Sequence, residues 1–268
     1  MRGTTATRNG NAATVLIVEF SDELKDELRA RFTAFCYGAE RVQEDNDYYS
    51  IEATVSEFLT RFDSKPDETK IGMVGELLMH LLHPTTYADL LSAAVYFNKE
   101  DRSIKKGFDL SFLQQSPDTV WYGEVKSGEL GALASADDKL HALFLHAARD
   151  LHEKLTTPQR SRWDAALLDA DLTLASGHAA TVKQLLRSDT RALEDGASIS
   201  RRAFLGSVVL HDIDASAISQ DGTDRSMSSI AGSAKFQDVK LLAIQHVGIQ
   251  EIVSFIRTQM VRADAETS

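Results

Sequence analysis

A carboxylate and an amine lie two residues apart near the end of a strand-like segment, residues 119–126. Because side chains alternate between the two faces of a strand, Glu124 and Lys126 project from the same face, about 6–7 Å apart along it. The preceding strand-like segment, residues 106–113, carries Asp109 among Phe and Leu residues. If the two segments pair as a hairpin, Asp109 lies near Glu124, and the three side chains form one polar cluster.

Such a cluster is suited to hydrolysis of a phosphodiester. Two carboxylates within hydrogen-bonding range repel each other, and the repulsion costs stability unless a cation neutralises it. Mg²⁺ prefers carboxylate oxygens, keeps several waters and lowers the pKa of a bound water, which can then act as the nucleophile. Mn²⁺ is expected to substitute for it. We therefore expect Asp109 and Glu124 to bind the metal, while Lys126 orients the water or stabilises charge in the transition state.

The same residues have a second interpretation. The spacing Glu-x-Lys occurs about once by chance in a chain of average composition, and an ordinary ion pair on a solvated strand face uses the same residue types. Three features favour chemistry. Asp109 interrupts an apolar strand, Glu124 and Lys126 follow two aromatic residues rather than a charged edge, and an acidic residue, Glu76, lies in the helix just upstream.

The helix that carries Glu76 is predicted over residues 68–82, and His83–Pro84 is expected to end it. Glu76 falls opposite the apolar stripe, so a solvated position and a metal-binding position both remain open. His80 and His83 are expected to be surface or capping residues. The members of the apolar stripe are Ile71, Val74, Leu78, Leu81 and Leu82.

Two glycines lie inside this predicted helix. Gly72 and Gly75 each cost about 1 kcal/mol relative to alanine in a helix interior. They are easier to explain where the helix backbone approaches another element closely. We therefore expect this helix to be packed tightly against a neighbour.

The rest of the pattern predicts an α/β fold with a central mixed sheet flanked by helices. The segments at 92–98, 106–113 and 119–126 are expected to form an antiparallel meander. Other strands are expected at residues 13–20, 203–211 and 239–247. Further helices are expected after a Ser21 cap and at residues 51–62, 136–155, 158–174 and 248–262. Residues 1–12, 40–50, 127–131 and 214–235 read as loop or disorder.

A turn at residues 65–67 is the predicted boundary between two parts of the chain. Residues 1–64 would form an N-terminal subdomain that docks a partner. Residues 65–268 would form the core that contains the candidate cluster, with a C-terminal strand and helix.

Composition narrows the function classes. The net charge of the 268 residues is −11, which argues against a protein that coats nucleic acid but leaves one local site open. The single cysteine, Cys36, excludes an intramolecular disulfide and a multi-cysteine zinc site. Neither a signal peptide nor an apolar run long enough to span a membrane is evident, so a cytoplasmic location is expected. No phosphate-binding glycine loop occurs, so we expect the chain itself to bind no nucleotide.

The arrangement resembles the PD-(D/E)xK superfamily. Its restriction-endonuclease-like core has a helix with an acidic residue, followed by a β-meander that bears Asp and then (D/E)-x-Lys. The matching residues are Glu76 in GMVGELL, Asp109 in KKGFDLSF, and Glu124 and Lys126 in WYGEVKSG. Phe108 stands where the nominal motif has proline. More closely, the segments K-x-G-x-x-GE-L-L, GFD and GE-x-KS resemble the HamA family, clearly over residues 68–130 and elsewhere by length and element order.

This resemblance implies a function. HamA is the nuclease subunit of the Hachiman antiphage defence system, and it works with a helicase partner, a HamB-like subunit. The chain would then be a Mg²⁺-dependent deoxyribonuclease that degrades DNA once the partner senses phage or damaged DNA. Glu76, Asp109 and Glu124 would bind the metal, and Lys126 would complete the catalytic set.

A different class of function remains open beside it. The chain could be a non-catalytic interaction or scaffold subunit built on a nuclease-like fold. The net charge of −11 favours this alternative, because an acidic protein repels DNA at long range.

Overall fold

The computed structural model describes residues 1–97, 107–197, 201–258 and 260. Its strands are β1 (Thr4–Asn9), β2 (Ala12–Ile17), β3 (Leu90–Ser92), β4 (Leu110–Gln114), β5 (Thr119–Glu129), β6 (Arg202–Leu210) and β7 (Asp238–His246). Its helices are α1 (Asp22–Tyr37), α2 (Ala39–Glu44), α3 (Ile51–Asp63), α4 (Asp67–Thr86), α5 (Ala136–Thr156), α6 (Arg160–Thr173), α7 (Ser176–Glu194), α8 (Gln220–Gly232) and α9 (Gln250–Thr258). The expected loop between the first two meander strands, residues 99–105, lies outside the described residues.

The described strands form one sheet in the order β1-β2-β7-β6-β5-β4-β3. The four central strands, β2, β7, β6 and β5, are parallel to one another. At one edge β1 pairs antiparallel with β2, and towards the other edge β4 pairs antiparallel with β5. The central strands β6 and β7 are buried along almost their whole length, as expected for parallel strands covered on both faces. The predicted α/β fold with a mixed sheet is confirmed, as is the antiparallel meander of β3, β4 and β5.

Helices cover both faces of the sheet. Alternate residues of β5 point to opposite faces of the sheet, and each face has its own apolar cluster. Trp121 and Val125 belong to one cluster, and Val120 and Tyr122 belong to the other. The first cluster also contains the buried faces of α1, α3, α4 and α9. The second contains those of α5, α6, α7 and α8. The sheet therefore lies between two helical layers, with α4 and α5 on opposite sides of β5.

The helix α4 differs from its prediction at the C-terminal end. It continues past Pro84 to Thr86, because the hydrogen bonds beyond the proline are still made and Tyr87 N–H donates to His83 O at 2.7 Å. The expectation that His80 and His83 are surface or capping residues is wrong. Both imidazoles are buried, since the C-terminal half of α4 is enclosed by the sheet and by α1.

The two glycines of α4 have different environments. A Cβ at Gly75 would collide with the Ser127 side chain of β5, so the expected close approach is confirmed there. A Cβ at Gly72 would meet no atom within 4 Å, and the expectation is wrong for that position.

Several segments predicted as loops are regular elements. Residues 4–9 form β1 as an exposed edge strand, whose polar sequence reflects that exposure. Residues 39–44 form α2, β5 continues to Glu129, and the predicted strand over residues 92–98 is confined to Leu90–Ser92. The helix α7 was not anticipated.

The helix α8 replaces most of the loop expected over residues 214–235. Its buried residues are Gly222, Thr223, Ser226 and Ile230, so only one of them is a large apolar residue and the sequence shows no clear apolar stripe. Thr223 Oγ1 instead lies 2.7 Å from Thr14 Oγ1 of β2, and Ser226 Oγ lies 3.0 Å from His141 Nδ1 of α5. Ser219 caps the helix by accepting a hydrogen bond from Gly222 N–H.

The other predicted strands and helices are present within a few residues of their expected bounds. Ser21 caps α1 as expected, accepting a hydrogen bond from Leu24 N–H. Strand β2 pairs with β7, so the sheet contains strands from both sides of the predicted boundary at residues 65–67. Within the described ranges, no helix is long and apolar enough to cross a membrane.

Candidate active site

The β4–β5 hairpin brings Asp109 next to Glu124. Leu110 pairs with Gly123, so the residue before β4 faces Glu124 across the hairpin. The Asp109 carboxylate is fixed there because its Oδ2 accepts a hydrogen bond from Val125 N–H at 3.0 Å. Gly123 permits this close approach, since a Cβ at that position would lie 2.6 Å from Leu110 Cβ. We call Asp109 and Glu124 the acidic pair.

Two lysines contact the acidic pair from different elements. Lys126 Nζ, from the same face of β5, donates to Glu124 Oε1 at 2.9 Å. Lys154 Nζ, from α5, donates to Glu124 Oε2 at 2.5 Å and lies 3.5 Å from Asp109 Oδ1. Each oxygen of Glu124 therefore faces its own ammonium group, and Lys154 bridges the two carboxylates.

A third carboxylate, Asp150 of α5, supports Lys126. Asp150 Oδ2 lies 3.0 Å from Lys126 Nζ and 3.1 Å from His146 Nε2. Residues 146, 150 and 154 are four apart, so they lie on one face of α5 and point towards the same face of β5. Sequence reasoning missed Lys154 and Asp150. The four-residue spacing was visible, but nothing in it shows which face of α5 turns towards the strand.

Burial determines the electrostatics of Glu124. Its side chain is only 2% exposed. Burial first, and then repulsion from Asp109, raise the pKa of Glu124 above its ordinary value, although Lys154 and Lys126 act in the opposite direction. The lysines therefore compensate the buried negative charge only in part.

The pKa values of Lys126 and Asp150 shift in opposite directions. Burial alone lowers the pKa of Lys126, but Glu124 and the hydrogen bond to Asp150 outweigh it, and the net pKa is raised. Burial raises the pKa of Asp150, but Lys126 outweighs it and the net pKa is lowered. Lys126 is thus held firmly in its charged form between two anions.

Glu76 belongs to a different element from the acidic pair. Glu76 lies on α4, on the opposite side of β5 from α5, and is half-buried. Burial raises the pKa of the Tyr96 hydroxyl most, and the charge of Glu76 raises it further. Glu76 therefore lies near Tyr96, which belongs to the first apolar cluster. Of the four residues selected from the sequence, Asp109, Glu124 and Lys126 form one cluster at the hairpin, and Glu76 lies on α4; its part in the site stays a prediction.

The donor chemistry of the acidic pair fits Mg²⁺. Both ligand side chains are carboxylates, and the raised pKa of Glu124 shows that its charge is not fully compensated. Mg²⁺ usually binds through one or two carboxylates and completes its coordination with waters and substrate phosphates. In the described part of the chain, no group of three or more His, Cys, Asp or Glu side chains could hold a metal ion. The pair therefore suits an open site of two carboxylates.

Comparison with known protein families gives a match over most of the chain. The sequence profile of the family described as HamA matches residues 5–256, a range that includes the acidic pair and both lysines. A search of curated proteins finds no match.

Proposed function

Because the chain belongs to the HamA family, which suggests a role in Hachiman defence, we propose that it is a metal-dependent DNA nuclease that acts with a helicase partner. The observation that carries the proposal is the acidic pair, in which Glu124 is buried and Asp109 is partly buried. An ionised carboxylate is costly to bury even when it is paired, and Glu124 is buried beside a second carboxylate. Carboxylates with shifted pKa values mark functional sites more often than purely structural ones.

Asp109 and Glu124 are the residues that would hold Mg²⁺. The metal would supply Lewis acidity that polarises a phosphodiester and activates water. The hydrogen bond from Val125 N–H orients Asp109, and the hairpin pairing orients Glu124 beside it. Both ligands are thus positioned by one rigid pair of strands, an arrangement that limits the reorganisation needed on binding.

Lys126 has a defined role in this proposal. Despite burial, Glu124 and the hydrogen bond to Asp150 raise its pKa, so it is protonated in the metal-free chain. Its ammonium group therefore stabilises negative charge on the phosphate in the transition state. Glu124 and Asp150 hold the ammonium nitrogen from two sides, and they position it for that task.

The helicase partner is proposed from the family and from charge. A chain with a net charge of −11 repels DNA at long range. A partner that already holds the DNA strand would overcome that repulsion by delivering the strand directly to the acidic pair. The isolated chain is accordingly expected to cleave DNA weakly.

The test is cleavage of linear and circular DNA by the chain with its helicase partner, ATP and Mg²⁺. Glu124→Gln and Lys126→Met are expected to lower the cleavage rate by about 10²–10³-fold, the usual effect of losing one transition-state contact. Lys183→Met is the matched control, because Lys183 forms its ion pair with Asp171, outside the cluster. Cleavage at equal rates by the wild type and both cluster variants would exclude these residues from the reaction.

A non-catalytic subunit is the second candidate. The observation that favours it is that Lys126 and Lys154 already place two positive charges on the acidic pair without any metal. Calorimetric titration with Mn²⁺ separates the two candidates. A nuclease is expected to bind the ion, whereas absence of both binding heat and thermal stabilisation would favour the interaction subunit.

A further inference from the structure

Lys154 occupies the place between the two carboxylates of the acidic pair. Its Nζ lies 2.5 Å from Glu124 Oε2 and 3.5 Å from Asp109 Oδ1. A cation that bridges Glu124 Oε2 and Asp109 Oδ1 uses the two oxygens that face this ammonium group. Lys154 and a divalent cation therefore compete for the same negative charge.

The two lysines of the cluster are not equivalent. Lys126 has an anchor outside the acidic pair, because its Nζ also lies 3.0 Å from Asp150 Oδ2. Among the described residues, the Lys154 ammonium forms ion pairs with Asp109 and Glu124 alone. A competing cation removes every ion pair of Lys154 but leaves Lys126 attached to Asp150. Lys154 is thus the lysine that a divalent cation displaces.

The backbone under Lys154 is fixed, while its side chain has a route to solvent. Arg162 of α6 donates to the carbonyl oxygens of Lys154 and Thr157, and to Gln159 Oε1. These bonds hold the end of α5 in place. The Lys154 side chain is 21% exposed and has four rotatable carbon–carbon bonds, so it can swing outward without moving the helix.

We propose that Lys154 holds the cation position of the acidic pair in the metal-free protein and withdraws when a divalent cation binds. This inference rests on the proposed function, in which the acidic pair is the metal site. Lys154 is then a positioning residue that lowers the metal affinity of the resting chain. Any event that draws Lys154 outward raises that affinity and loads the site.

The test is Mn²⁺ binding by the full chain, measured at pH 8 from the electron paramagnetic resonance signal of free Mn²⁺. Lys154→Met is expected to bind Mn²⁺ about tenfold more tightly than the wild type, because the ion no longer displaces a charged hydrogen bond. Lys154→Arg keeps the cation and is expected to stay within about twofold of the wild type. Lys183→Met is the control for loss of a lysine elsewhere.

A further variant, Asp109→Asn, separates this inference from the proposed function. If Asp109→Asn binds Mn²⁺ as tightly as the wild type, or if neither the wild type nor Lys154→Met binds it, the proposed metal site is wrong. If Asp109→Asn weakens binding and Lys154→Met does not tighten it, the metal site stands and the role of Lys154 is overturned.

If Lys154→Met does not fold, a measurement on the wild type tests whether a divalent cation displaces Lys154. Mg²⁺ titration is followed by NMR of the lysine side chains, with Lys154→Arg identifying the resonance. The Lys154 Cε resonance is expected to shift as the ion binds, and to shift more than that of Lys126. A Lys154 resonance that stays unchanged while Mg²⁺ binds would overturn the inference.

Discussion

The backbone N–H of Val125 donates a 3.0 Å hydrogen bond to the Asp109 carboxylate, so the acidic residue before β4 is tied to the strand that carries Glu124. This hydrogen bond joins the two arms of the hairpin at the candidate site. It also makes Asp109 a structural residue as well as a proposed metal ligand, and the two roles can be separated by the choice of substitution.

Asp109→Ala and Asp109→Asn are expected to differ in stability. Both remove the repulsion with Glu124, but only alanine leaves the buried Val125 N–H without its acceptor. The alanine variant is therefore expected to be less stable than the asparagine variant by about 1–3 kcal/mol. Urea unfolding of both variants measures the difference, and equal midpoints with equal slopes would contradict the structural role.

Glu124→Gln is expected to stabilise the metal-free protein even though it is expected to lower the rate of DNA cleavage. The raised pKa of Glu124 means that its surroundings disfavour the charge, because of burial first and Asp109 second. A neutral side chain of the same shape relieves both costs. Each kcal/mol gained raises Tm by about 2–4 °C. Thermal melting in EDTA at pH 8 tests this, and a lower Tm for Glu124→Gln would show that the lysine contacts outweigh the cost of burial.

The two glycines of α4 provide a matched pair. Gly75→Ala forces a methyl group into Ser127 of β5 and is expected to destabilise the protein by about 1–3 kcal/mol. Gly72→Ala meets no atom within 4 Å and is expected to stabilise the helix by about 0.5–1 kcal/mol. Tm values of the two variants should therefore move in opposite directions. Because Ser127 directly follows Lys126, only the first substitution is also expected to lower activity.

His83 is expected to make stability depend on pH. Burial lowers the pKa of His83 to about 3, despite its hydrogen bond to Met79 O, so the imidazole is neutral in the folded protein. In the unfolded chain it gains a proton below about pH 6.5. Above about pH 6.5 the imidazole is neutral in both states and costs no stability. As the pH falls from 6.5 towards 3, the unfolded chain binds a proton that the folded protein does not, so the free energy of unfolding falls, by about 2 kcal/mol at pH 5.

The measurement compares unfolding free energies at pH 7.5 and pH 5. His83→Phe preserves an aromatic ring against Phe112 and is expected to lose about 2 kcal/mol less than the wild type between these values. His178→Gln is the control, because His178 is only half-buried. If His83→Phe shows the same pH dependence as the wild type, the buried imidazole does not control acid sensitivity.

The hairpin that carries the candidate site is predictable from local patterns. Alternating faces in two adjacent segments determine that Asp109, Glu124 and Lys126 converge once the strands pair in register. The same reasoning cannot find Lys154, because the rotation of α5 against the sheet depends on packing between distant apolar side chains such as Phe144 and Leu205.

The failures elsewhere have similar physical causes. The helix α8 is stabilised by buried hydrogen bonds of Thr223 and Ser226, which leave no apolar periodicity in the sequence. His80 and His83 look like surface residues in sequence, but packing by α1 and the sheet encloses them. Glu76 lies on α4, and the sequence does not show that α4 packs on the face of β5 opposite to α5.

The pairing of β2 with β7 has a consequence for synthesis of the protein. Thr14 lies opposite Ala243, so β2 can pair with β1 early but obtains its parallel neighbour only after β7 has left the ribosome. Contacts this distant in sequence form late and slowly during folding. The hairpin with the acidic pair can form earlier, but β6, which flanks it, needs β7 on its other side. A nascent chain therefore lacks the complete central sheet until β7 has left the ribosome.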